Sequence, residues 1–318
     1  MVDSKNGIVG FIIGDALGVP VEFNTRAERM NNPITEMIGY GTHSVPKGCW
    51  SDDTAMVLAT MDAITEQKEI NCSKIADNFL AWITEAKYTA TDRVIGIGRG
   101  TLKALNKYEA HEDEAEKCGG TAFYENGNGS LMRILPVAYY CYANNKSEEE
   151  VYSIVEKVSS ITHRHEISVM GCFIYSEFAI NLLEGKDLVG SYEAVQKIDY
   201  KKYFSPDTIK EYIRVVRKNI KFLKLDEISS SGYVVDTLEA VLWILFNTKD
   251  FNQALIGAIN LGDDTDTIGA CTGGLAGIYY GLDSIKESWK KELMHYKYLE
   301  SMCDRFNKVL NTDSTNEK

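Results

Sequence analysis

The chain has 318 residues, 44% of them hydrophobic and 25% charged, the composition of a globular protein long enough to bury a large core. A formal net charge of -12 argues against duplex nucleic acid or an anionic membrane as a partner, because both need a basic surface. An anionic ligand would have to be held locally, by backbone dipoles and metal ions.

In chain order, Gly7, Gly10, Gly14 and Gly18 fall three or four apart in an apolar run, which on a helix makes a flat face that another backbone can approach. Asp15 interrupts the run, so the segment reads as neither signal peptide nor membrane span. Pro20 ends the helix near Val19, and Glu22 follows in an extended or turn segment, where a lone glutamate is by itself more often a solvated group than a catalyst. Residues 26–47 have the composition of a loop and lead to Ser51-Asp52-Asp53-Thr54. Helices are predicted over 55–67 and 73–85, with their aromatics in the core. The G-x-G-x-G at 96–100 invites a dinucleotide-fold reading, but no hydrophobic strand precedes it, and a turn leading into a helix over 101–108 accounts for it equally.

The stretch Asn126-Gly127-Asn128-Gly129-Ser130 can present consecutive backbone N–H groups to an anion, or can be an ordinary capped turn. Helices are predicted over 137–143, over 151–160 behind a capping box of Ser147 and Glu150, and over 171–183. His163 and His165 form an H-x-H pair, but no further His or Cys lies at a helpful spacing for zinc. The polar region 186–225 reads as solvated helical faces. No linker rich in proline or serine divides the chain, so one domain is expected over 1–318, with a frayed tail over 310–318. Period-two alternation is nearly absent, and the expected fold class is all-α.

Three carboxylates, Asp263, Asp264 and Asp266, crowd the start of an apolar run rich in small residues. One or two would cap a helix; three repel one another and ask for a cation. Asp52 and Asp53 repeat the pattern far away in sequence. If both helix starts meet, oxygen donors without His or Cys suit Mg²⁺ or Mn²⁺. Seven cysteines, an odd number without C-x-x-C, fit reduced thiols in a cytoplasmic protein.

Four blocks, GDALGVPVEF at 14–23, WSDDT at 50–54, NGNGSLMRILP at 126–136 and GDDTDTIG at 262–269, resemble the ADP-ribosylglycohydrolase family in content and order, and together they span nearly the whole chain. SSSGYVVDTLEAVLW at 229–243 also resembles the family's helix before its last metal block, with Tyr233 and Asp236 as supports. The resemblance implies a single-domain orthogonal bundle of many helices. By positional match it implies two Mg²⁺ (or Mn²⁺) ions held by Ser51, Asp52, Asp53, Asp264, Asp266 and Thr267, with Asp263 as a spare cap. It further implies Glu22 and Asp53 as catalytic carboxylates. Asn128, Gly129, Ser130, Leu131 and Met132 would cradle the diphosphate of ADP-ribose, and His163 would lie on its ribose or adenine side. The expected activity is metal-dependent removal of ADP-ribose from a modified target, with arginine-linked protein first. Serine-linked ADP-ribose, O-acetyl-ADP-ribose and ADP-ribosylated nucleobases are alternatives. More distant ones are a non-catalytic ADP-ribose binder and an all-α diphosphate metalloenzyme, although the latter usually carries D-D-x-x-D. The expected form is a monomer acting on an ADP-ribosylated protein or an ADP-ribose-containing small molecule.

Overall fold

A computed structural model describes residues 1–312. Among them the regular elements are α-helices and short 3₁₀ turns, joined by three isolated β-bridges. The expected all-α class is the observed one. Helices begin at both acidic motifs, Asp52–Gln67 directly after Ser51 and Thr265–Tyr280 directly after Asp264.

Two glycine-rich helices set the arrangement. Lys5–Gly18 and Thr265–Tyr280 run antiparallel with their backbones touching. A methyl at Gly10 would fall 2.4 Å from the carbonyl oxygen of Gly273, and one at Gly14 2.0 Å from that of Gly269. Reciprocally, a methyl at Gly277 would fall 2.1 Å from the Asn6 carbonyl oxygen. Only Cα atoms without a Cβ at these contacts permit this approach. The flat face read from Gly7, Gly10, Gly14 and Gly18 thus meets a matching face built from Gly269, Gly273 and Gly277.

The helix Glu166–Leu183 is apolar enough to cross a membrane by composition, with a hydropathy of 1.3, but 83% of that window is buried inside the protein. It is a core helix, tied to the glycine pair where the Tyr175 hydroxyl donates to the Cys271 carbonyl at 2.9 Å. The capping box expected at Ser147 and Glu150 is present, and its helix begins at Glu148, one turn ahead of the apolar periodicity. Glu166–Leu183 likewise starts before 171, capped by the His165 imidazole, which accepts from the Ile167 N–H. The polar first turn Glu148-Glu149-Glu150 carries no apolar signal, which explains the first shift, whereas Ile167, Val169 and Met170 extend the apolar run of the second helix ahead of 171.

Residues 310–312, expected to belong to a frayed tail, are ordered. Leu310 is buried and ends the helix Tyr296–Leu310, and the Asn311 side chain accepts from the Val2 N–H and donates to the Val2 carbonyl, each at 2.8 Å. The remaining six positions, 313–318, lie outside the described residues.

The glycine contact has a direct test. Gly14→Ala forces the two backbones apart and is expected to cost about 3 kcal/mol, at the upper end for overpacking a rigid contact. Gly257→Ala, whose methyl would meet only the flexible end of Ile244 at 3.1 Å, is expected to be neutral or stabilising. Urea denaturation midpoints of the two variants measure the contrast.

Candidate active site

The antiparallel pair brings the C-terminal end of one helix to the N-terminal end of the other. A methyl at Gly18 would sit 2.4 Å from the backbone nitrogen of Asp266, and the Thr265 hydroxyl donates to the Gly18 carbonyl at 2.8 Å. The segment Val19–Val21, a 3₁₀ turn, then delivers Glu22 beside the second acidic motif. Carboxylate oxygens of Glu22, Asp264 and Asp266 lie within 4.8 Å of one another, a grouping able to hold a metal ion.

One turn before Gly18, Asp15 docks the first acidic motif. Its buried carboxylate accepts from the Ser51 N–H at 3.0 and 3.1 Å, from the Thr54 N–H at 3.0 Å and from the Thr54 hydroxyl at 2.6 Å. It therefore binds the start of Asp52–Gln67, where orphan N–H groups and the helix dipole favour a negative charge. Burial pushes the Asp15 carboxyl up to about 6, against the pull of those hydrogen bonds. From sequence, Asp15 was visible as a break in an apolar run and as a member of the block at 14–23, with no role assigned.

With both helix starts anchored, the motifs face each other. The Thr267 hydroxyl lies 3.5 Å from Asp53 Oδ2, which also accepts from the Ser51 hydroxyl at 3.0 Å. Asp53 is 1% exposed, and its Oδ1 is buried without a hydrogen-bond partner. Burial, then the charges of Asp15 and other acids around it, holds the Asp53 carboxyl well above the usual carboxylate range. Burial chiefly raises Asp52, Asp264 and Asp266 as well, with the neighbouring carboxylates adding to it. An orphaned buried carboxylate oxygen among the buried Asp52, Asp53 and Asp266 and the half-buried Asp264 is an environment that a divalent cation satisfies and that protein groups here do not. An all-oxygen donor set fits a hard cation.

The acids form one wall of a cavity of about 840 Å³ that also takes in Gly127, Asn128, Gly129, Met132 and His163. Among the residues expected to bind the ligand, Asn128 does two jobs. Its N–H donates to the Gly232 carbonyl at 3.0 Å, and its side-chain amide donates to Asp264 Oδ2 at 2.6 Å and to the Thr237 hydroxyl at 2.9 Å. It thereby aims the Asp264 carboxylate. Ser130 and Leu131 are buried behind the loop and are not on the cavity wall; the Ser130 hydroxyl lies 2.9 Å from that of Ser159. The loop leads into a 3₁₀ turn, Leu131–Arg133, before the helix Leu135–Ala143, so side chains at 130 and 131 turn inward to the core. His163 faces the cavity beside Gly100 and Gly129, with Nδ1 2.9 Å from the Thr162 hydroxyl. Burial and the nearby Arg133 depress its imidazolium to about 3, so His163 is neutral at physiological pH.

Asp263 is not a spare cap. The residue before the first turn of Thr265–Tyr280 is Asp264, whose side chain makes no capping bond, while Asp263 is exposed on the cavity wall at φ +59°. Tyr233 and Asp236 act at one remove: Asp236 accepts from the hydroxyls of Ser229 and Ser231 at 2.7 and 2.6 Å, and Tyr233 donates to Glu211 at 3.0 Å. Both hold the segment that carries Gly232.

Sequence reasoning missed the wall formed by Gly96, Gly98, Arg99, Gly100, Thr101 and Lys103. Gly98 precedes the helix Arg99–Glu109 and supplies no side-chain cap, which leaves its first-turn N–H groups facing a cavity able to take an anion. The glycine alternation was the available signal. A methyl at Gly96 would lie 2.2 Å from Asp52 Oδ1, so this turn abuts the acids directly. His43, also unforeseen, hydrogen-bonds Glu22 through Nε2, and that carboxylate raises the imidazolium above its ordinary range.

This arrangement of a metal-ready acid cluster on a helical bundle defines a hydrolase-type site, and comparison gives the class. The family model described as ADP-ribosylglycohydrolase matches residues 4–316, and the chain belongs to that family of enzymes acting on ADP-ribosyl glycosidic bonds. An ADP-ribosylarginine hydrolase, Tri1, of Serratia proteamaculans is 30% identical over 95% of this chain and 78% of its own length. The ADP-ribosyl-[dinitrogen reductase] glycohydrolase of Rhodospirillum rubrum is 29% identical over 90% of this chain and 88% of its own. A solved structure titled ADP-ribosylglycohydrolase-related protein complex superposes with a TM-score of 0.79 at 28% identity, covering 97% of this chain and 98% of that one.

The buried acids yield a signed prediction. Because burial raises the Asp266 carboxyl, ionisation opposes folding: stability falls as pH rises from the ordinary carboxylate range. In chelator at pH 8, Asp266→Asn is expected to melt higher than wild type, and the gap should narrow toward pH 4. Added Mg²⁺ should raise the wild-type melting temperature and leave the variant's nearly unmoved. Thermal scans at both pH values, with and without the ion, measure it.

Proposed function

We propose that this chain removes ADP-ribose from arginine side chains of a modified protein by hydrolysing the N-glycosidic bond, with two Mg²⁺ (or Mn²⁺) ions held by Ser51, Asp52, Asp53, Asp264, Asp266 and Thr267. The observation that carries the reading is the meeting of two acidic helix starts around the unpartnered Asp53 Oδ1. The names of the relatives support arginine as the linkage. We take the working form to be a monomer in the cytoplasm, where a reducing environment would keep the seven unpaired cysteines as thiols.

Bound there, the divalent ions would hold ribose hydroxyls and lower the pKa of a water. The protein's own groups then divide the work. The walls at Gly96–Thr101 and Gly127–Gly129 seat the diphosphate, where backbone N–H groups and Arg99 meet its charge without a basic surface elsewhere. Neutral His163 offers a hydrogen bond without adding charge. Asp53, beside the ions, is placed to take a proton from the attacking water, and Glu22, oriented by His43, to pass one to the departing nitrogen. Water oxygen bonds to the anomeric carbon, the carbon–nitrogen bond breaks, and the proton released by water ends on the leaving group, which departs as a guanidinium. Charge and atoms balance, and no covalent intermediate is required.

The test is a release assay on defined arginine-, serine- and nucleobase-linked ADP-ribose and on O-acetyl-ADP-ribose, with and without chelator. Arginine-linked substrate should turn over fastest, and chelator should stop it. Binding of ADP-ribose without turnover of any substrate would replace this reading with that of a non-catalytic binder. Asn128→Ala, which frees the Asp264 carboxylate, is expected to weaken metal activation about 10- to 100-fold, the usual effect of losing a partner that orients a ligand. Metal titration of initial rates gives the number.

A further inference from the structure

Phe23 breaks two rules at once. It is 69% exposed and sits at φ +67°, a backbone region that a bulky side chain avoids, yet its ring lines the cavity. Glycine would make the same turn without strain, and burial would relieve the exposed ring. The fold instead enforces the conformation. The Phe23 N–H donates to the Asp263 carbonyl at 2.7 Å, and the Asp263 N–H donates to the Asn24 carbonyl at 2.7 Å. Asp263 is itself at φ +59°. Two strained residues from opposite ends of the chain thus lock each other, and strain held this way marks functional sites. Both residues line the cavity, and the Asp263 carboxylate accepts from the Ser230 hydroxyl at 3.0 Å through Oδ2.

The position of the pair identifies what it meets. The Phe23 ring lies 6.3 Å from the His43 ring, centroid to centroid, and His43 bonds the Glu22 carboxylate. Phe23 therefore adjoins the end of the cavity where the glycosidic bond would break, on the side toward solvent where a protein target remains. We propose that Phe23 and Asp263 select the leaving group: the ring face takes the guanidinium of the modified arginine, and the Asp263 carboxylate supplies its counter-charge. This rests on the arginine reading above and names the residues that produce it. A planar guanidinium is attracted to the negative face of an aromatic ring and pairs with carboxylates. A seryl oxygen or an acetyl ester gains neither contact. Adenine, the other flat group in the substrate, would stack on the ring and could donate its amino group to Asp263, but brings no positive charge for that carboxylate to pair.

The experiment compares wild type, Phe23→Gly, Phe23→Tyr and Asp263→Asn on an ADP-ribosylarginine peptide and on O-acetyl-ADP-ribose, with ADP-ribose binding followed by calorimetry. Phe23→Gly should raise KM for the arginine substrate about tenfold, within the range of a partly desolvated cation–π contact, and leave kcat nearly unchanged. Its melting temperature should hold or rise, because glycine relieves the backbone. Phe23→Tyr should retain the wild-type KM, and Asp263→Asn should raise KM for the arginine substrate alone. In every variant the affinity for ADP-ribose and the KM for O-acetyl-ADP-ribose should stay put. An unchanged KM in Phe23→Gly overturns the assignment, and so does a parallel loss of ADP-ribose affinity, which would place the ring on adenine. Wild-type protein that does not cleave the arginine peptide would overturn the arginine reading itself, and the proposal with it.

Discussion

The close backbone contact between the glycine faces of Lys5–Gly18 and Thr265–Tyr280 determines where every carboxylate of the site can go. A pair of ordinary helices packs at 8–10 Å because side chains intervene. Here glycine meets glycine, and the separation falls until a single methyl would overlap a carbonyl. The consequence is positional. Gly18 lies against the backbone of Asp266, so the chain leaving the first helix must pass the second acidic motif, and Glu22 arrives there four residues later. Asp15, one turn earlier on the same helix, reaches the other acidic motif. One helix therefore gauges the distance between two metal-ready clusters that are more than two hundred residues apart in sequence.

That geometry concentrates negative charge where water cannot dissipate it. Hydrogen bonds offset part of the cost and are distributed unevenly. Asp15 is saturated by the start of a helix and serves as a structural anchor. Asp264 is held by Asn128, Asp53 receives the Ser51 hydroxyl on one oxygen only, and Asp266 accepts the N–H of its neighbour Thr267. The unevenness separates roles. A carboxylate with all its lone pairs occupied by the protein has none for a cation or a water, whereas one left half-satisfied in a buried place is stabilised only when something enters.

Much of this was legible in the chain and some was not, for identifiable reasons. The surplus of acids over what helix capping needs pointed to a cation before any coordinates, and the spacing of Gly7, Gly10, Gly14 and Gly18 disclosed a close helix contact although not its partner. The helix start at Glu148 was read late because its polar first turn is invisible to apolar periodicity. Asp15 was not assigned a role, since its partners Ser51 and Thr54 are 36 and 39 residues away. The inward turn of Ser130 and Leu131 depends on a 3₁₀ turn that a motif cannot display, and the positive φ of Phe23 has no sequence signal in a residue that normally avoids it.

An acidic protein that holds an anionic ligand poses an apparent contradiction, which the cavity resolves by dividing its walls. Toward His163 the lining is glycine backbone, the uncapped start of Arg99–Glu109 and a histidine that burial keeps neutral. Toward Glu22 it is carboxylate. A ligand negative at one end and positive at the other would lie along this gradient in a single orientation, with its diphosphate against amide dipoles and its cationic end against Glu22 and Asp263. The orientation places the bond between the two ends beside the half-satisfied Asp53. Reversing the ligand would set phosphate against carboxylate, so the sign of the walls, more than their shape, fixes which bond is presented.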